Sequence, residues 1–232
     1  QTNLKKYGDE AKKVKEQFDL VAKQYDSQRR GFIPCFDDYY VRSVSLLKQY
    51  NKSFEKVVDL GAGTGSLTKE IYSLYPKAQY VLVDLSEDML DVAKKRFKGL
   101  NNFKYVKANY IDSIPDGDLI CSGLSIHHLE DDEKKHLYDN VYKALPSGGC
   151  FINLDQFNSS STLINEMYTG WWLDYINNSE ITEEERDAWL ERKKIDRENS
   201  VEDTVAMLRN SGFNDVQCIY SFMKFAVVMA IK

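Results

Sequence analysis

From Glu55 onward, short apolar runs alternate with amphipathic stretches, and this order restricts the fold more than any other feature of the chain. Strands separated by helical crossovers return to one sheet in the same direction, so strict alternation implies a parallel sheet with helices on both faces. Lys56-Val-Val-Asp-Leu60 reads as the first strand, and Ser66–Tyr75 as a helix stopped before Pro76. Gln79–Asp84, Phe103–Lys107, Asp118–Leu124 and Cys150–Leu154 are the next four strands. Ser86 caps a helix running to about Phe97, with Glu87 and Asp88 in its first turn, and Asp131–Leu145 is helical.

After Asp155 the alternation stops. Residues 158–198 hold two polar helical stretches and no strand, and Ser200–Asn210 is a helix ended before Gly212. Val216–Tyr220 and Lys224–Ile231 are too close for a crossover, so they form a hairpin and the last strand is antiparallel. Before the sheet, Glu10–Tyr25 and Asp37–Tyr50 read as helices around the loop 26–36. The expectation is one α/β domain over 1–232, doubly wound on a mostly parallel seven-stranded sheet. It comprises a helical cap (1–50), a core (55–157), a helical insertion or lid after strand five (158–198), and a C-terminal helix with a β-hairpin (199–232).

Composition narrows the partners. A net charge of −5, with Lys and Arg scattered among acids, gives no basic stripe for long nucleic acid. The longest wholly apolar run, Phe225–Ile231, is far short of the about 20 residues a membrane helix requires. Residues 1–26 lack the apolar stretch of a signal peptide. The four cysteines, Cys35, Cys121, Cys150 and Cys218, form no Cys-x-x-Cys pair, which suits reduced thiols in a cytoplasmic protein and no metal site. The chain is expected to be a monomer or homodimer.

Chemistry concentrates where the first strand ends, in Asp59-Leu-Gly61-Ala-Gly63-Thr-Gly65-Ser66. Glycines between a strand and a helix let a ligand approach the backbone. The spacing is G-x-G-x-G rather than the dinucleotide fingerprint, and Asp59 disfavours a diphosphate while favouring an ammonium group. Asp84 ends the second strand nineteen residues past Gly65, where a carboxylate accepts from both hydroxyls of an unphosphorylated ribose. A nucleoside with a cationic tail fits this pair of acids.

The segment Val57–Gly65 with Asp84 resembles the first two motifs of the class I S-adenosylmethionine-dependent methyltransferases. The likeness continues through Lys107-Ala-Asn-Tyr110, Leu124-Ser-Ile-His-His-Leu-Glu130 and Leu145-Pro-Ser-Gly-Gly-Cys150. It implies S-adenosylmethionine as cofactor and methyl transfer to a small-molecule acceptor. It further implies that Gly61, Ala62, Gly63, Thr64 and Gly65 line the methionine and ribose, with Asp59 near the amino group. By the same resemblance Asp84 holds the ribose, Leu85 and Met89 pack on the adenine, Asn109 and Tyr110 sit at its edge, and Ser122, Gly123 and Leu124 lie near the sulfonium. Asn109 stands where the family more often has an aspartate.

Methyl transfer from a sulfonium chiefly requires alignment and exclusion of water, and a base only where the acceptor must lose a proton. His127, His128 and Asp155 are the candidate catalytic groups. Tyr168, Trp171, Trp172 and Tyr175 share one helical face of the insertion, either packing it onto the domain or roofing the acceptor. Tyr25, Arg30 and Phe36 are the candidates on the N-terminal side. Arg186, Arg192, Lys193 and Lys194 are expected to face solvent; one pointing inward would suggest an anionic acceptor. The segments Phe18–Ala22, Tyr25-Asp26, Arg30–Phe36, Asn199–Glu202 and Phe225–Lys232 are similar to the ends of carboxy-S-adenosylmethionine synthases. That likeness implies an alternative activity, modification of the cofactor in transfer-RNA wobble chemistry. A non-catalytic S-adenosylmethionine-binding protein is the third reading.

Overall fold

A computed structural model describes residues 24–232, so the segment Phe18–Ala22 and nearly all of the expected first helix lie outside the described residues. Seven strands form one sheet: β1 (Lys56–Leu60), β2 (Gln79–Asp84), β3 (Phe103–Lys107), β4 (Leu119–Gly123), β5 (Cys150–Gln156), β6 (Asp215–Phe222) and β7 (Phe225–Ile231). Their order is β3-β2-β1-β4-β5-β7-β6. β1 to β5 are parallel, and β7 inserts antiparallel between β5 and β6. The order reverses between β1 and β4, and at such a switch point the strand ends open a crevice for a ligand.

The helices are α1 (Ser66–Leu74), α2 (Glu87–Arg96), α3 (Asp131–Ala144), α4 (Thr162–Asn177), α5 (Glu183–Lys193) and α6 (Val201–Asn210). Local chemistry explains their starts. Ser86 Oγ accepts from the Met89 N–H at 3.2 Å, while Glu87 and Asp88 oppose the helix dipole at one end and Lys94, Lys95 and Arg96 at the other. Capping boxes start α3 at Glu130/Glu133 and α5 at Thr182/Glu185. Two apolar cores cover the faces of the sheet. One runs through Val57, Leu82, Cys121, Ile152 and Val227 to Tyr39, Tyr40 and Trp172, and the other through Val58, Val83, Ile120, Tyr138 and Phe213.

Two details depart from the expected elements. The regular helix expected over Asp37–Tyr50 begins instead with a π-helical stretch, Asp37–Arg42, before Ser43–Ser45 and Leu47–Tyr50. The widened turn carries the consecutive residues Tyr39 and Tyr40, both fully buried, as one would expect where local geometry serves inward-facing groups. The His pair occupies a short 3-10 turn, Ile126–His128, directly after β4.

Candidate active site

The glycine loop is left-handed at Gly61, Gly63 and Gly65, with φ of 70°, 56° and 84°. Gly61 has a second constraint: a Cβ there would lie 2.1 Å from Ser125 Oγ. Backbone amides and acids are interlocked around this loop. Asp84 accepts from the Gly63 N–H at 2.9 Å and the Ser86 N–H at 2.8 Å, which fixes its carboxylate with lone pairs to spare. Asp59 is buried, receives the Thr68 hydroxyl at 2.5 Å, and leaves Oδ1 without a partner among the described residues. Burial pushes its carboxyl up to about 6, against the pull of the Thr68 hydrogen bond. An unpartnered buried carboxylate oxygen is costly, and a cationic group is its natural complement.

Arg29 is a residue that sequence reading left without a specific role. Its Nη1 donates to Tyr40 Oη at 2.8 Å, and Nη2 lies 3.8 Å from where a Cβ on Gly63 would be. No carboxylate pairs with it among the described residues. Asp26 and Arg96 form a second tie, with guanidinium–carboxylate bonds of 3.0 and 2.9 Å, while Arg96 Nε donates to Thr64 O at 2.8 Å. Burial alone would raise the Asp26 carboxyl, but the Arg96 contacts override it and hold it below its ordinary value.

The other expected cofactor residues divide. Met89 and Leu124 line one cavity with Tyr25 and Arg29. Leu124 has a φ of 52°, a strained conformation for leucine that turns the chain at the end of β4. Leu85 is 64% exposed, beside Asp84 and free to cover a ligand. Ser122 does not face open space: it is buried in the sheet, its hydroxyl bonded to Leu60 O at 2.7 Å. Gly123 has Tyr40 Oη and Leu67 as near neighbours. The Tyr110 hydroxyl is 2.6 Å from Ser125 Oγ, and Asn109 Oδ1 accepts the Ile111 N–H at 3.0 Å, so this amide oxygen has one lone pair engaged in a local turn.

That same cavity, lined by Met89 and Leu124, has a volume of about 330 Å³, within the range of small-molecule sites, and Trp172, Trp189, Phe32 and Phe225 also wall it. Trp172 is buried; its indole N–H donates to Phe32 O at 2.7 Å, and its ring meets Trp189 and Phe225 edge-on. Lys193 turns inward, 4.6 Å above the Trp172 ring, contrary to the expectation of a solvent-facing side chain. Arg192 also lines the cavity.

Four expected acceptor residues, Arg30, Phe36, Tyr168 and Trp171, are placed elsewhere. Trp171 stacks on Tyr175 on the outside of α4, and its neighbour in the helical face, Tyr168, is not in the cavity wall. Arg30 lies 4.2 Å over the Phe36 ring and pairs with Asp37 at 3.0 Å in an adjoining surface cleft. The reason is geometrical: a face spanning four aromatic residues covers more arc than one cavity, so Trp172 points in while its neighbours cover the flank.

His127 and Asp155 do meet, across the ends of β4 and β5. His127 Nδ1 is 2.6 Å from Asp155 Oδ1, and the His127 backbone N–H donates to Asp155 Oδ2 at 3.0 Å. A second carboxylate, missed in the sequence, is Asp196, 3.5 Å from His127 Nε2 and 3.4 Å from His128 Nδ1. Burial lowers the His127 imidazole, but the two carboxylates outweigh it and push it up to about 10. A ring held as imidazolium has no lone pair with which to take a proton. Asp155 is buried behind the ring. Asp196 is fixed by its surroundings: Arg197 N–H donates to His127 O at 2.8 Å, and Glu198 pairs with buried Lys224 at 3.0 Å.

This strand order, crevice and acid–glycine–acid arrangement define the class I S-adenosylmethionine-dependent methyltransferase fold. The chain belongs to the O-methyltransferase domain family, which it matches over residues 17–169, and S-adenosylmethionine is its cofactor. It is 20% identical over 231 residues to the carboxy-S-adenosyl-L-methionine synthase of Nautilia profundicola, covering 95% of this chain and 97% of that one. It is 26% identical over 209 residues to the ubiquinone/menaquinone biosynthesis C-methyltransferase of Desulfotalea psychrophila, covering 88% and 83%. The structure of human N-acetylserotonin methyltransferase in complex with SAM superposes with a TM-score of 0.57 and 20% identity, over 94% of this chain and 55% of that one. The chain thus spans about half the length of that solved relative. Among the described residues, no helix is long and apolar enough to cross a membrane.

Proposed function

We propose that this enzyme transfers the methyl group of S-adenosylmethionine to a small-molecule acceptor bound between residues 24–36 and the 158–198 insertion. The observation that carries the reading is an aromatic cavity lined by Met89, Leu124 and Arg29, the last of which also reaches to Gly63 in the glycine loop. Asp59 answers the cofactor's amino group, Arg29 its carboxylate, and Asp84 the ribose hydroxyls. Alignment in a closed cavity lowers the barrier by holding acceptor and methyl in line and keeping water out. Acidic net charge and four free cysteines support a cytoplasmic protein that takes no long nucleic acid, as monomer or homodimer.

The test is incorporation of labelled methyl from S-adenosylmethionine into the low-molecular-weight fraction of a cell extract. Labelled small molecule together with S-adenosylhomocysteine is expected. Tight binding of S-adenosylhomocysteine without any turnover across extract fractions would leave the non-catalytic reading standing. A second enzymatic reading, synthesis of a carboxylated cofactor, is favoured by the near full-length match to the Nautilia profundicola synthase. It predicts a carboxyl group on recovered cofactor in place of methyl on an acceptor, so mass analysis of the nucleoside product separates the two.

A further inference from the structure

We propose that His127, His128 and Asp196 form a binding site for one divalent first-row transition ion in the wall of the acceptor cavity. The ion site stands on geometry alone; the role given to it below rests on the methyl-transfer reading.

The first argument is the asymmetry of the His127 ring. On one side Nδ1 makes a 2.6 Å bond to Asp155; on the other, Nε2 stands 3.5 Å from Asp196. A charge-assisted N–H···O bond closes to about 2.7–2.9 Å, so Asp196 is too far for a good one. It is at a like distance, 3.4 Å, from His128 Nδ1. Ligands about 2.0–2.1 Å from a tetrahedral ion stand about 3.3–3.4 Å from one another. The three donor atoms all lie within 4.8 Å of one another, the one such grouping among the described residues. The gap suits an ion between the ligands better than a proton.

The support behind the ring is the second argument. A histidine ligand ordinarily donates its other ring N–H to a carboxylate, which fixes the tautomer and raises basicity. Asp155 occupies that position, and it is itself held by the His127 backbone N–H. Binding of the ion displaces the proton from His127, so both rings serve as neutral ligands beside the Asp196 carboxylate. Two histidines and one carboxylate with open positions suit a first-row transition ion.

All three ligands line the aromatic cavity with Leu124 and Met89. There an ion supplies a Lewis acid for the acceptor. An acceptor hydroxyl bound to it loses its proton to water more readily. The oxygen's electron pair then forms the O–CH3 bond as the C–S bond breaks and its electrons return to sulfur, giving S-adenosylhomocysteine and one released proton.

The experiment uses the full chain stripped with chelator and titrated with Co2+, followed by visible absorption, and with Zn2+, followed by calorimetry. One equivalent is expected to bind, with the absorption of a four- or five-coordinate Co2+ site. His128→Gln, a half-exposed position whose change leaves the core intact, should weaken binding at least about tenfold, and Asp196→Asn similarly. Neither should change S-adenosylhomocysteine affinity in metal-free buffer more than about threefold. Absence of saturable binding, or equal binding by wild type and His128→Gln, overturns the ion site. Failure of the wild type to bind S-adenosylhomocysteine would instead overturn the methyl-transfer reading and leave the ion measurement standing.

Discussion

The two sides of the crevice are built by different means. On the cofactor side, one strand–helix–strand unit, β1 to β2, presents the acids and glycines, and Asp84 is held by the backbone N–H groups of Ser86, two positions on, and Gly63, 21 positions back. On the acceptor side, the wall is collected from residues 24–36, the 3-10 turn after β4, α4, α5 and the loop before α6. Trp172 bonds to Phe32 O, 140 positions away, and Tyr39 Oη donates to Asp155 O across 116. Local geometry secures the first side; the second depends on long-range packing. The acceptor side should therefore be the one that fails, opens and varies.

Removing Trp172 tests this most severely. Trp172→Ala should cost about 3–5 kcal/mol of stability, since a large buried side chain leaves a cavity and an unpaired carbonyl. Denaturant unfolding measures it. S-adenosylhomocysteine affinity of the folded fraction should change less than about threefold. Matching losses of stability and cofactor affinity would show that the two sides are one unit.

The converse substitution is Asp84→Ala. It should weaken S-adenosylhomocysteine binding by about 1.5–3 kcal/mol, the value of charge-assisted bonds left unmade, with little change in the exposure of Trp172 to a fluorescence quencher. An unaltered dissociation constant by calorimetry would remove the ribose role of Asp84.

Asp59 gives a smaller effect with a defined sign. Its carboxyl is at about 6 in the folded protein against 3.8 ordinarily, so below about pH 6 the free protein holds a proton that an ammonium ligand must expel. Cofactor affinity should therefore fall by up to about tenfold per unit as pH drops below 6 and level off above it. By the same linkage, this group disfavours the fold above pH 6, and that cost is relieved as pH falls from 6 toward 3.8. Calorimetry at pH 5 and 7 decides, and Asp59→Asn should flatten the profile.

The smallest effect is dynamic. Hydrogen exchange at residues 24–36 and 162–198 should slow when S-adenosylhomocysteine binds, more than in α3, because a side that admits the acceptor must open. Protection confined to 59–65, 84–89 and 107–110 would make these segments fixed packing elements.

The same division decides what the sequence alone made legible. Every strand, the reversed hairpin and the glycine loop were readable because period, spacing and capping are short-range properties. Misplaced roles came from long-range contacts. Nothing near His127 announces Asp196, since the loop that carries it is set by the Lys224–Glu198 pair and a backbone bond to the His turn. Lys193 read as solvent-facing because its helix is charged, yet two tryptophan rings offer it a π face. Ser122 read as a site residue by position, whereas the sheet uses its hydroxyl to tie β4 to β1.

Arg96 has a kinetic consequence. One guanidinium grips Asp26 in the 24–36 segment and the carbonyl of Thr64 in the glycine loop at once. Outward movement of that segment should therefore slacken the loop. Seating the first ligand on that loop thus sets the wall against which the second must dock. The steady-state pattern that follows is compulsory order: S-adenosylmethionine enters first and S-adenosylhomocysteine departs last, competitive with the incoming cofactor and noncompetitive with the acceptor.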